Sequence, residues 1–482
     1  MGKMSNLWQK FLHKIFEYAP SVVACLCFLP CGLVTGYTIC AFVAERNIHV
    51  GLIAYGPLIL GAGISLIVAL SMLTLKFMRS RLIFWQPLLL LVGGIFHLIA
   101  SCFFFGKDFD YVGAFIAYVG HSISFVAGFS FLQSMCSKMS RALFLSSCCS
   151  FYLLGLATAV SLIHAAYEKN LRDYPGQQLT DGIYINFAAT YLCVAAVLLA
   201  LHISLKVLNF LGHVDVANSR DDELRIANLN GTVFDKRQEI IKRTQFFYVT
   251  KNQQWNVLLV VLFTEAIQYA LFIYFLFWFS LNTSMQLTEP GLIHIMVWML
   301  FAGGVTGTIS LRFFSVKINF VFSQLCLIVL TVLSLIICTS VQTKIPFCVL
   351  IFFFGLSHAS LQVALIEVAH LRFTECAISV SYILKLLSTG LIYYYFVYDS
   401  KESFFYLTDK GTIMAHGFVF MIITALLAIV VAIKVPRTYR MSLLDIQKTV
   451  CGIIFLEHQI EQLNVAWLNE GKIPTISSSM EH

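Results

Sequence analysis

Gly355-Leu356-Ser357-His358 opens an apolar run that ends at Leu371-Arg372-Phe373-Thr374-Glu375, and the run that follows carries Lys385 in its middle and closes at Gly390. Shifted back by 235 positions, the same frame returns at Gly120-His121-Ser122. Gly120 lies over Gly355, Ser122 over Ser357, Ala142 over Ala377, Ser146 over Ser381, Gly155 over Gly390 and Leu156 over Leu391. The polar break Ser137 to Arg141 matches Arg372 to Cys376. A second echo sits at a shift of 236, where Leu75-Lys76-Phe77, Arg81 and Phe84 overlie Leu311-Arg312-Phe313, Lys317 and Phe320. Two independent matches at nearly one offset imply a duplicated half, the pattern of membrane carriers built from repeats.

Composition fixes the solvent. Of 482 residues 59% are hydrophobic and 12% charged, and the mean hydropathy is +0.82. A soluble chain carries roughly a quarter charged residues, so most of this exterior faces lipid. Apolar runs of about twenty residues recur, long enough to cross a hydrocarbon core as helices and too long for barrel strands. Twelve spans are expected, centred near residues 32, 63, 94, 123, 154, 196, 267, 301, 329, 358, 387 and 423. The fold class is an all-α polytopic membrane protein of two pseudo-symmetric six-helix halves. The expected layout is a cytoplasmic N-terminus (1–19), an N-terminal bundle (20–208), a polar linker (209–254), a C-terminal bundle (255–434) and a cytoplasmic tail (435–482). The run from Pro20 to Val43 is long and lacks a cleavage site, so it reads as a span and not as a removable signal.

Charge sets the orientation. With a cytoplasmic N-terminus, 24 of the 32 Lys and Arg fall on the cytoplasmic side, 7 on the other and 1, Lys385, inside the membrane. Both termini are then cytoplasmic, and the net charge of +7 reflects topology and not a nucleic-acid partner. Most of the fourteen cysteines lie inside spans, where free Cys behaves as a small hydrophobe. Cys27 and Cys31 share a helix face, but with no His or acid beside them in sequence no metal is expected. Of two glycosylation sequons, Asn230 lies in the linker and Asn282 hugs the outer end of the seventh span. In the tail Leu443, Ile446, Val450, Ile453, Ile460 and Trp467 approach heptad spacing, which suits an amphipathic surface helix, with a partner helix as the alternative.

Six plus six spans, a long central loop and basic loops between spans two and three and between eight and nine resemble the major facilitator superfamily. The superfamily's loop signature has the form G-x-x-x-D-R-x-G-R-K. Here the copies run from Gly307 through Leu311 and Arg312 to Lys317, and from Ser71 through Leu75 and Lys76 to Arg81. Leu75 and Leu311 stand where the signature has Asp, so the resemblance is to a divergent member. It implies that spans one, four, seven and ten line a central cavity.

An ionisable group inside lipid is costly and is a functional candidate by default. Glu265 lies about 15 Å into the seventh span, with Gln268 on its face; His358 and Gln362 form an i, i+4 pair in the tenth; His121 is at mid-depth in the fourth and Lys385 in the eleventh. These six are the candidate substrate- and proton-binding residues. Each has a plainer reading: core histidines bonded to carbonyls, or a snorkelling or structural lysine. Lys76, Arg81, Arg312, Lys317, Glu367 and Arg372 are the candidate gating residues, and Tyr393-Tyr394-Tyr395 reads as an interfacial belt. Gly32, Gly36, Gly303, Gly304 and Gly307 allow close helix approach and need no ligand to explain them.

The expectation is a secondary transporter of a small polar or zwitterionic organic solute, coupled to protons at Glu265. The chain is expected to work as a monomer among membrane lipids, in the plasma or an endolysosomal membrane, with no cofactor and no nucleic acid. The alternative is a non-transporting receptor, chaperone or scaffold. An enzyme is not expected, since no nucleotide loop, nucleophile–base pair or metal spacing is present.

Overall fold

The computed structural model describes residues 18–44, 51–78, 82–105, 109–136, 140–173, 181–211, 253–285, 291–337, 344–369, 374–394, 410–441 and 446. Helices occupy nearly all of this, and each expected centre falls inside one. In chain order they are α1 Phe28–Ala44, α2 Gly51–Met78, α3 Leu82–Phe103, α4 Asp110–Met135, α5 Arg141–Asp173 and α6 Asp181–Leu211, then α7 Gln253–Met285, α8 Gly291–Ser310, α9 Val316–Ile337, α10 Lys344–Val368, α11 Thr374–Tyr394 and α12 Lys410–Lys434. Residues 18–26 extend α1 through a turn at Cys27. Eleven spans are long and apolar enough to cross a bilayer, and α8 adds a shorter apolar stretch at His294–Ser310. The chain is thus an integral, multi-pass membrane protein. The linker and the heptad-like tail lie outside the described residues, apart from Ile446, which is buried against Val368.

Burial separates inner from outer helices. α4 and α10 are 83% and 78% buried over their apolar windows, whereas α12 and α6 are 28% and 33% buried. In α12 the exposed large apolar residues are Phe418, Val419, Ile422, Leu426, Ile429 and Ile433, an apolar stripe suited to acyl chains. The expected central helices are central, and α5 and α11 join them.

The seam between the halves is formed by α2 on α11 and α5 on α8. Within the N-terminal half, α1 and α5 cross at backbone contact. A Cβ on Gly32 would stand 1.9 Å from the Tyr152 carbonyl oxygen, and one on Gly155 2.1 Å from that of Leu29. In the C-terminal half the same device joins α8 to α10, where a Cβ on Gly303 or Gly355 would meet the Phe352 or Leu300 carbonyl at 1.9 or 2.1 Å. Without a hydrophobic drive between helices in lipid, such close backbone packing supplies much of the cohesion.

Candidate functional site

The site grows from three helices of the C-terminal half. α7 presents Glu265, α11 presents Ser381 and Lys385 one turn apart, and α10 presents Gln362. Lys385 Nζ lies 2.7 Å from Glu265 Oε1, with both side chains almost fully buried. Ser381 Oγ donates to Glu265 Oε2 at 2.8 Å, and Lys385 also donates to Gln362 Oε1. Each pole of the buried pair therefore has a second partner, the condition under which such a pair survives desolvation.

Around this cluster the walls are aromatic. The Lys385 ammonium sits 5.2 Å from the Phe125 ring centroid on α4 and 5.6 Å from that of Tyr269 on α7, within cation–π range. His121 is flanked by Tyr382 at 5.1 Å and Tyr118 at 5.8 Å. His358 lies 5.2 Å from Phe272 and 6.2 Å from Tyr269. His121, His358, Gln362 and Lys385 line one cavity with Phe28 and Thr35 of α1 and Cys149 and Tyr152 of α5. Its open space is about 30 Å³, room for one or two waters.

Contacts between the halves lie towards both ends of the bundle. At the end assigned to the cytoplasm by charge, Gln133 Nε2 donates to the Ile366 carbonyl at 2.7 Å, and Ser130 Oγ to Glu375 Oε1 at 2.7 Å. At the opposite end Tyr55 packs edge-on against Tyr393 at 5.4 Å, and Trp298 Nε1 donates to Ser161 at 3.1 Å. Tyr393 is 4% exposed. This corrects the interfacial-belt reading for that residue, because α11 turns it inward onto the other half; its neighbour Tyr394 does face outward.

Of the six candidate site residues, Glu265, Gln362 and Lys385 form one cluster, and His121 and His358 line its cavity. Gln268 lies apart: its amide donates to Ser357 Oγ at 2.9 Å, and it is not among the cavity-lining side chains. Histidines two positions out of register in the repeat thus reach one space. The aromatic walls and Ser381 were missed. Ser381 stands four residues before Lys385, Tyr269 four after Glu265 and Phe125 four after His121, each one turn from a candidate on the same helix face. Among the gating candidates, Glu367 and Arg312 border a second cavity of about 490 Å³ with Thr438, Tyr439 and Arg440 at the basic end. There Tyr439 Oη donates to the Arg312 carbonyl at 2.9 Å. Lys317 lies in the first turn of α9. Arg81 and Arg372, and the side chain of Lys76, lie outside the described residues.

A separate polar network lies inside the N-terminal half. His202 Nε2 is 2.9 Å from Cys27 Sγ, and His97 bonds the Tyr191 hydroxyl at 2.5 Å while lying 3.9 Å from Cys31 Sγ. The two cysteines do have histidines beside them, supplied by α3 and α6 and invisible in the local sequence. Among the described residues no group of three His, Cys, Asp or Glu side chains is placed to hold a metal.

No protein-family model matches the chain, and no curated protein matches it in sequence. Solved structures do match in shape. The xylose:proton symporter XylE bound to 6-bromo-6-deoxy-D-glucose aligns with a TM-score of 0.58 at 13% identity, over 90% of this chain and 99% of that one. An inward-open XylE structure from E. coli gives 0.56 at 12%, with 90% and 99% covered. A variant of the E. coli fucose:proton symporter FucP gives 0.53 at 14%, with 87% and 99% covered. At such identities the likeness establishes architecture. The chain has the fold of the major facilitator transporters.

Proposed function

We infer that the protein is a secondary transporter that moves a small organic solute across the membrane by alternating access, coupled to protons. The observation that carries this is the Lys385–Glu265 pair, 2.7 Å apart within the spans, whose lysine lines the cavity between the halves. A buried ion pair adds little net stability over an apolar pair, and ionisable groups at this depth mark transport paths and proton relays. The matching solved structures include sugar:proton symporters, which supports solute–proton coupling as the class of activity. Ser130, Gln133 and Glu375 would act as the gate at one end and Tyr55 and Tyr393 at the other, with Glu367 and Arg312 beside the first. Both termini would face the cytosol, and the carrier would work as a monomer with lipid around it.

The test is uptake of a solute library into proteoliposomes at an outer pH of about 5.5 and about 7.5, spanning the range in which proton drive changes. The wild type is compared with Glu265→Gln. Accumulation of a solute that follows the proton gradient and is lost in the variant is expected. Uptake that ignores both pH and the substitution would sink the coupling.

A further inference from the structure

Among the described residues the central site keeps donors that its internal contacts do not use. Glu265 Oε1 faces Lys385, Glu265 Oε2 accepts from Ser381, and Gln362 Oε1 accepts from Lys385. What remains is Gln362 Nε2, which has no partner among the described residues, and the third N–H of an ammonium that has made two polar contacts. Among the described residues His121, 3% exposed, has no partner at either ring nitrogen, and it offers one N–H and one acceptor when neutral. Gln362 and Lys385 belong to the C-terminal half and His121 to the N-terminal half, and all three border the same cavity. A ligand that accepts from all three would tie the halves together. Its remaining atoms would lie against the rings of Phe28, Phe125, Tyr152 and Tyr382.

Charge bookkeeping narrows the class further. The pair sums to zero. A ligand carrying one negative charge makes the site −1, and one proton taken from water by Glu265 returns it to zero. A neutral solute entering with a proton leaves it at +1, and a cationic solute does so unless Lys385 gives up its proton. An electroneutral load avoids carrying net charge through lipid, where charge is costly. Other titratable groups lining the cavity with Lys385 are His358 on α10, Cys149 and Tyr152 on α5, His121 and Tyr118 on α4, Tyr269 on α7 and Tyr382 on α11. α8 and α12 also pack on α7 and carry only His294, Lys410, His416 and Lys434, towards their ends. None of these duplicates the fixed negative charge of Glu265.

Building on the transporter reading, we propose that the site takes an organic monoanion, a carboxylate with an apolar or aromatic body. The carboxylate is held by Lys385, Gln362 and His121, and one proton on Glu265 accompanies it. The cycle is electroneutral. Lowering pH on the loading side raises the loaded fraction, because Glu265 gains its proton as Lys385 turns to the substrate.

The experiment uses the full-length protein in proteoliposomes, with protein-free vesicles subtracted. The probes are lactate, phenylpyruvate and hippurate as anions, tyramine as a cation and D-xylose as a neutral solute. A pH gradient and a potassium diffusion potential are applied separately. At least one carboxylate is expected to accumulate with the pH gradient and to ignore the potential. A carrier moving one net charge would respond by roughly 50-fold per 100 mV. Lys385→Gln is expected to lose carboxylate uptake and Lys385→Arg to retain part of it. If Lys385→Gln fails to fold, Gln362→Leu, which removes only an amide, is expected to weaken apparent affinity by about 10-fold. Potential-dependent uptake of xylose or tyramine, with no carboxylate moved, overturns the monoanion proposal and leaves the transporter standing. Carboxylate uptake that does respond to the potential overturns electroneutral coupling. No movement of any probe, by protein shown to be folded, overturns both readings.

Discussion

Removing either member of the Lys385–Glu265 pair leaves the other buried with a charge it cannot hold, whereas removing both leaves none. Breaking a buried pair from one side costs about 3–5 kcal/mol, while exchanging both members for well-packed apolar residues is close to neutral. The local structure sets the pattern. Glu265→Leu strips Lys385 of its one ionic partner among the described residues and leaves it Gln362 Oε1 and two aromatic faces. Lys385→Met leaves Glu265 with the Ser381 hydroxyl. Both single variants should therefore lose stability. The double variant should regain most of the loss, for a coupling of about 2 kcal/mol or more. Thermal unfolding of the four proteins in detergent, followed by tryptophan fluorescence and size-exclusion profile, measures this. Single variants within about 0.5 kcal/mol of wild type, or costs that simply add, would refute a buried pair with both charges in place.

The closures are testable one contact at a time. Gln133→Ala removes the amide that bonds the Ile366 carbonyl, a bond worth about 1 kcal/mol. It should raise chemical modification of cavity-lining Cys149, read by peptide mass spectrometry, by about 5-fold; an unchanged rate would mean that this contact does not hold that end shut. Gly155→Leu should abolish a monodisperse folded peak, since even a Cβ there stands 2.1 Å from the Leu29 carbonyl oxygen. Gly63→Ala, with nothing within 4 Å of its added carbon, should fold normally. Truncation after Met441 should leave solute uptake measurable, and abolition of uptake by correctly folded protein would favour the scaffold reading of the tail.

Helix order, the two halves and the central helices were legible because lipid imposes a single rule on every span: apolar length, with polar groups only where another helix receives them. The same rule exposed Glu265, His358, Gln362, His121 and Lys385, each conspicuous against an apolar run. It does not say which of them meet. Glu265 and Lys385 are 120 positions apart, and only the packing of α7 on α11 brings them to 2.7 Å. Gln268 shares Glu265's helix face by spacing, yet meets Ser357 and not the cavity. Aromatic residues make up 14% of the chain, so the few that wall the site carry no local signal. Tyr393 was misread for a related reason, because lipid-facing and seam-facing tyrosines at a span's end have the same composition around them.

The duplicated halves have diverged unequally at the site, and the difference has a mechanical consequence. Position 385 carries the lysine, while its counterpart Ser150 spends its hydroxyl on Thr308 across the α5–α8 seam. All four members of the charged cluster, Glu265, Gln362, Ser381 and Lys385, belong to the C-terminal half. The N-terminal half contributes rings, a thiol and His121. Rocking the halves apart therefore leaves the 2.7 Å pair intact. Among the links it breaks near the site are the Lys385–Phe125 cation–π contact, the 5.1 Å ring contact of His121 with Tyr382, the 3.4 Å approach of Tyr152 to Tyr269, and the 3.5 Å approach of Ser122 to Tyr382. Had the acid and the lysine been on opposite halves, each opening would have separated two charges in a poorly solvated space, at a cost of several kcal/mol. Placed as they are, the pair rides as one body, and a proton and a ligand can separate its members without the fold having to do so.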